Sequence, residues 1–108
     1  YASWCSPCRR ELPALNELHD KYAPQGFGVL AVGVDTDPSK SAKMAKKYGA
    51  DYPVLLDPKG KILGLFDVKS MPTTYIIDRN GVVVEKVVGW GKTEEKLPKV
   101  MKQVEEVL

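Results

Sequence analysis

The run Phe27-Gly28-Val29-Leu30-Ala31-Val32-Gly33-Val34 is apolar at every position. A strand with one wet face alternates polar and apolar residues. A strand without alternation is buried on both faces, as in a parallel sheet covered by helices. Such a strand requires layers, and the flanking residues supply them. Residues 5 to about 22 carry Leu12, Leu15, Leu18 and Tyr22 near helical spacing, with Pro13 placed to kink the helix. Asp35-Thr36-Asp37-Pro38 ends the strand and caps a helix over Ser39–Tyr48, which Gly49 closes.

Further on, Tyr52–Leu56 reads as a short strand, followed by a turn at Asp57-Pro58-Lys59-Gly60 and a short helical stretch within Ile62–Val68. Thr73–Ile77 and Val82–Val88 are β-rich runs joined by Asp78-Arg79-Asn80-Gly81, a hairpin signal. Thr93 can cap a last amphipathic helix with Leu97, Val100, Met101, Val104 and Leu108 on one face. Pro98 predicts an irregular first turn there, or a later start. A chain of 108 residues with this order of elements is one α/β domain.

The chemistry sits at the start. Cys5 and Cys8 are the only cysteines, separated by Ser6-Pro7, preceded by Trp4 and followed by the first helix. That spacing brings both sulfurs to the first turn of one helix, where free N–H groups and the helix dipole favour a thiolate. A second thiol one turn away can resolve a mixed disulfide. Three other readings are weaker. A zinc site needs two further ligands, and the chain has one His, His19, and no second cysteine pair. Haem attachment needs His after the second Cys, and Arg9 stands there. A structural disulfide closing so tight a loop constrains little chain entropy. His19 lies some three to four turns from Cys5 and reads as a surface helix residue rather than a proton relay.

The net charge of +2, with Arg9-Arg10 and Lys46-Lys47 as the longest basic runs, gives no nucleic-acid footprint. No apolar stretch approaches the roughly 20 residues of a membrane-spanning helix. No cofactor or metal is called for.

With Trp4-Cys5-Ser6-Pro7-Cys8, the continuation Arg9-Arg10-Glu11-Leu12-Pro13, the segment Met71-Pro72-Thr73 and the element order in hand, the chain resembles the thioredoxin superfamily. It is most similar to the TlpA/ResA-type branch of thiol-disulfide oxidoreductases. The resemblance implies a thioredoxin-like fold, a central mixed sheet flanked by helices, with a helix-strand insertion at about 35–57. It implies that Met71-Pro72 is a cis-proline loop opposite the dithiol. It implies disulfide-containing protein substrates, an upstream thiol reductant, and an extracytoplasmic, membrane-tethered setting, often in cytochrome c maturation. A cytosolic thioredoxin-like reductant and a binding module with a dispensable dithiol are the alternatives. The inserted helix and strand speak against the first, and retention of both cysteines and Trp4 against the second. A peroxiredoxin-type peroxidase wants Thr three residues before its reactive Cys, where Ala2 stands.

The assigned roles are these. Cys5 is the attacking nucleophile and Cys8 the resolving thiol. Pro7 stiffens the intervening loop. Trp4 either shields the dithiol or is a core aromatic at a strand end. Trp90, between Gly89 and Gly91, either lines the same surface or closes a turn. Glu11 reads either as an exposed helix acid or as the acid serving the dithiol, since the residue that plays this part in classical thioredoxins lies on a first strand of which only Tyr1–Trp4 could be the tail. That central strand, between Phe27–Val34 and Thr73–Ile77, is otherwise missing. The sheet is therefore expected to draw it from residues ahead of Tyr1 or from another chain.

Overall fold

A computed structural model describes residues 1–108. Helix α1 (Ser6–Tyr22) opens the chain and runs through Pro13 without a break. Strand β1 (Ala31–Gly33), helix α2 (Pro38–Lys47) and strand β2 (Val54–Leu56) follow. Next come helix α3 (Lys61–Leu65), strand β3 (Thr73–Ile77), strand β4 (Val83–Val88) and helix α4 (Thr93–Glu105). The order is the one the sequence predicts.

The insertion forms a β1–α2–β2 crossover, with β1 and β2 parallel and Ala31, Val32 and Gly33 opposite Val54, Leu55 and Leu56. Asp37 is the N-cap of α2, its carboxylate accepting from the Ser39 amide at 3.0 Å. Strands β3 and β4 form an antiparallel hairpin with a bulge between Ile76 and Ile77. Asp78 builds the turn. Its Oδ1 accepts from the amides of Asn80 (2.9 Å) and Val82 (3.0 Å), while Gly81 takes φ +80°.

Helices α1 and α4 pack together and supply the core. Leu12, Leu15, Leu18 and Tyr22 are buried from α1, and Leu97, Val100 and Val104 from α4. Each such aliphatic side chain contributes about 2 kcal/mol by leaving water.

Two expectations need correction. The strand predicted over Phe27–Val34 is only three residues long, and Leu30 is 58% exposed instead of buried. A strand extends only as far as it has a partner. β2 reaches no further than the register of Ala31, and the Val29 amide donates instead to His19 Nδ1 at 3.2 Å. Second, α4 begins at Thr93 despite Pro98, and Lys92 is its N-cap. The Thr93 hydroxyl accepts from Trp90 Nε1 at 2.9 Å and caps nothing. As expected of a mixed sheet without its central strand, β1–β2 and β3–β4 form two halves that do not pair with each other.

Between the halves lies an apolar groove of about 570 Å³, walled by Leu12, Leu15 and Leu18 of α1 and by Val100 and Val104 of α4. Tyr1 alone bridges toward its upper end. Its amino group donates to the Val32 carbonyl (2.7 Å), and its carbonyl accepts from the Val34 amide (2.9 Å). These two bonds set Tyr1 beside β1 in the parallel sense, although it is not part of a strand.

Candidate functional site

The dithiol forms at the junction between the Tyr1 segment and α1. The Ala2 carbonyl accepts from the Cys5 amide at 3.1 Å, which closes a turn with Ser3 and Trp4 at its corners. Cys5 is the N-cap of α1, in extended conformation, and its Sγ accepts from the Cys8 amide at 3.3 Å. Pro7 falls in the first helical turn, where a missing N–H costs nothing. Cys5 and Cys8 are bonded to each other, their Cα atoms 5.4 Å apart. Cys8 and Cys5 are both buried, at 0% and 4% exposure. Trp4, next to Cys5 in the chain, is 69% exposed, which excludes the core-aromatic reading.

Glu11 is three residues past Cys8, hence on the same face of α1 and one turn deeper. It is buried, 5% exposed, and so is not the exposed acid of the simpler reading. Its Oε1 accepts from Thr74 Oγ1 at 3.2 Å, and its Oε2 is buried without a hydrogen-bond partner. Burial pushes its carboxyl up from 4.5 to about 7; the Thr74 hydroxyl, the Tyr1 amino group and the positive charge of Lys96 pull the other way. A carboxyl in that range exchanges protons at neutral pH.

Thr74 also locates the proline loop. Pro72 and Thr74 are two apart on one extended segment and share a face. Cys8 and Glu11 share a face of α1. The Thr74–Glu11 bond therefore sets the Met71-Pro72 loop toward the dithiol end of the helix. The Met71–Pro72 peptide is cis, Pro72 is fully buried, and Met71 packs on the core cluster that contains both cysteines. The loop after β4 completes the frame. The Gly89 amide donates to the Pro72 carbonyl (2.8 Å), and Arg10 Nε donates to the Gly91 carbonyl (2.9 Å). Trp90 between them is buried, so it closes this strap and does not line the surface.

His19 is remote from the sulfurs in sequence and serves the Val29 amide. No group of side chains fit to hold a metal ion is present. One residue near the site escaped the sequence. Asp35 reads there as part of a helix cap, yet its carboxylate accepts from the amide and hydroxyl of Ser3, at 3.0 and 2.6 Å. Its only sequence signal is its place directly after β1.

The family model described as AhpC/TSA family matches residues 1–86, which hold the dithiol, the insertion and the proline loop. The chain belongs to the AhpC/TSA family. Within that thioredoxin-like family it is similar to thiol-disulfide oxidoreductase ResA of Bacillus anthracis, 35% identical over 104 residues, covering 96% of this chain and 60% of that protein. ResA of Geobacillus kaustophilus is 37% identical over 89 residues, covering 82% and 51%. The chain thus spans between half and three fifths of the length of these relatives. Among solved structures it is similar to a Chlorobium tepidum protein described as thiol:disulfide interchange protein DsbE. The TM-score is 0.86 at 37% identity, over 95% of this chain and 73% of that one. The MTB dsbF structure has a TM-score of 0.86 at 19% identity and shares the fold. The thioredoxin-like fold is therefore established, although Tyr1 is all that stands between its two half-sheets.

Proposed function

We propose that this domain is a protein thiol-disulfide oxidoreductase that reduces disulfides in partner proteins. The observation that carries this reading is the Cys8 amide aimed at Cys5 Sγ from the first turn of α1. That donor stabilises a thiolate on Cys5 and on no other atom. The names of the relatives point to the same chemistry.

In the reduced form the Cys5 thiolate attacks one sulfur of a partner disulfide. A mixed disulfide forms, and the first partner sulfur leaves as a thiolate that takes a proton from water. Cys8 then loses its proton and attacks Cys5 Sγ. The Cys5–Cys8 disulfide forms, and the second partner sulfur leaves. The partner gains two electrons and the domain loses two, which an upstream thiol reductant restores. Glu11, one turn below Cys8 with a free carboxylate oxygen and a carboxyl near neutrality, is the group suited to take the Cys8 proton. Trp4 and the Met71-Pro72 loop offer apolar surface and backbone to an extended substrate segment. The resemblance to the TlpA/ResA branch favours extracytoplasmic partners, with cytochrome c maturation as the setting, in a single thioredoxin-like domain over 1–108.

Insulin reduction with dithiothreitol as electron source tests the activity. Wild-type protein accelerates insulin precipitation and Cys5→Ser does not. Equal rates with and without the wild-type protein would remove the proposal.

A further inference from the structure

The turn that delivers Cys5 to the helix is not held by the dithiol itself. Its closing bond, from the Cys5 amide to the Ala2 carbonyl, does not use the Ser3 N–H. The Asp35 carboxylate captures that N–H with both oxygens, at 3.0 and 3.2 Å, and the Ser3 hydroxyl with Oδ1 at 2.6 Å. The same carboxylate accepts from Ser41 Oγ of α2 at 2.6 Å, and Ser41 Oγ accepts from the Asp35 amide at 3.3 Å. Asp35 and Ser41 are both buried. Every direction in which the carboxylate could turn is thus committed. One side is fixed to α2 and the other grips the corner of the dithiol turn. These bonds also outweigh burial and hold the carboxyl below its ordinary value, so it is ionised at neutral pH.

We propose that Asp35 is a positioning residue for the dithiol: by clamping Ser3 it holds the Ala2–Cys5 turn so that Cys5 Sγ stays at the N-cap of α1, within reach of the Cys8 amide. The inference rests on the oxidoreductase reading for its importance but not for its test. A short, charge-assisted bond to a turn corner is strong and directional. Its loss lets the turn pivot about Trp4. The Cys5–Cys8 amide contact, already 3.3 Å, lengthens, and the thiolate loses its donor. A displacement of under an ångström in a reacting group lowers rates steeply. Neither Asp35 nor Ser3 touches a substrate in this scheme.

Ser3→Ala is the decisive variant, because it removes the hydroxyl grip without altering the charge of Asp35. Asp35→Asn accompanies it, and Ser3→Thr is the conservative rescue. Two quantities are read: the titration midpoint of the Cys5 thiolate in a Cys8→Ser background, and the second-order rate of exchange with a small aromatic disulfide. Ser3→Ala is expected to raise the midpoint and slow exchange about threefold or more at neutral pH, with Ser3→Thr restoring both. Asp35→Asn is expected to slow exchange in the same way. If Ser3→Ala lowers thermal stability yet leaves the Cys5 midpoint and exchange rate at wild-type values, the clamp is merely structural and the proposal is wrong. Should Asp35→Asn fail to fold, Ser3→Ala decides alone. The thiolate midpoint is readable even if the wild-type protein reduces no insulin, so failure here is distinct from failure of the proposed function.

Discussion

Thr74 Oγ1 donates to Glu11 Oε1 across 3.2 Å, joining strand β3 to helix α1 at one turn below Cys8. The bond is the only partner that the buried carboxyl has, since Oε2 has none. It registers the proline loop against the dithiol and gives Glu11 its modest restraint against protonation.

Glu11 should make stability depend on pH. Its folded value, about 7, lies above the unfolded value of 4.5. The folded state therefore holds a proton that the unfolded state has lost across this window. Stability is greatest below the unfolded value, falls as pH rises through the window, and levels off above the folded value. The span corresponds to about 3 kcal/mol. Urea unfolding at a series of pH values checks it. Glu11→Gln should flatten that fall. An unchanged slope in the variant would mean that another group titrates.

The same substitution should alter catalysis differently from stability. With Gln at position 11, the resolving step loses its proton acceptor while attack by Cys5 is spared. The expected outcome is an accumulating mixed disulfide and a fall of about tenfold to a hundredfold in turnover near pH 7. Stopped-flow exchange with a fluorescent disulfide peptide separates the two steps.

Cys5 should titrate below the ordinary thiol value of about 8.5, because the Cys8 amide and the end of α1 favour its thiolate. Thiolate absorbance against pH for Cys8→Ser measures this. A midpoint at or above the ordinary thiol value contradicts the N-cap mechanism.

The two cysteines should fail in distinguishable ways. Cys5→Ser loses disulfide reduction, while Cys8→Ser retains attack and traps a covalent adduct with substrate. Non-reducing electrophoresis reads the adduct directly. An adduct from the Cys5 variant would reverse the assignments.

The groove between β1 and β3 should accept a strand. Tyr1 already pairs with Val32 and Val34 in parallel register. An engineered extension of about six alternating Val and Thr residues ahead of Tyr1 continues that ladder and reaches β3 on its other edge. Slower amide exchange in Ala31–Gly33 and Thr73–Ile77, with a higher unfolding midpoint, is the expected result. Unchanged protection would show that the strand order is misread.

Much of this was legible in the chain. The periodicity of Leu12, Leu15, Leu18 and Tyr22 marks the buried face of α1, because side chains three and four apart share a helix face whatever surrounds them. Asp78-Arg79-Asn80-Gly81 marks a turn because its Asp side chain and its positive-φ glycine act locally. The dithiol at the head of a helix is equally local. Strand length was not legible. Phe27–Val34 is apolar throughout, but pairing is a property of two segments, and β2 offers only three residues.

What the sequence determined by itself is the order of elements and the placing of two sulfurs at the head of one helix. These follow from spacing along one chain. The tertiary structure alone decided which polar groups serve the site. Glu11 could have been an exposed helix acid, and Asp35 a helix cap. Packing brought one to Thr74 of β3 and the other to Ser3 of the opening segment, 63 and 32 residues away, and buried both. Burial and long-range hydrogen bonds set the chemistry of a carboxyl, and neither is written in its neighbours along the chain.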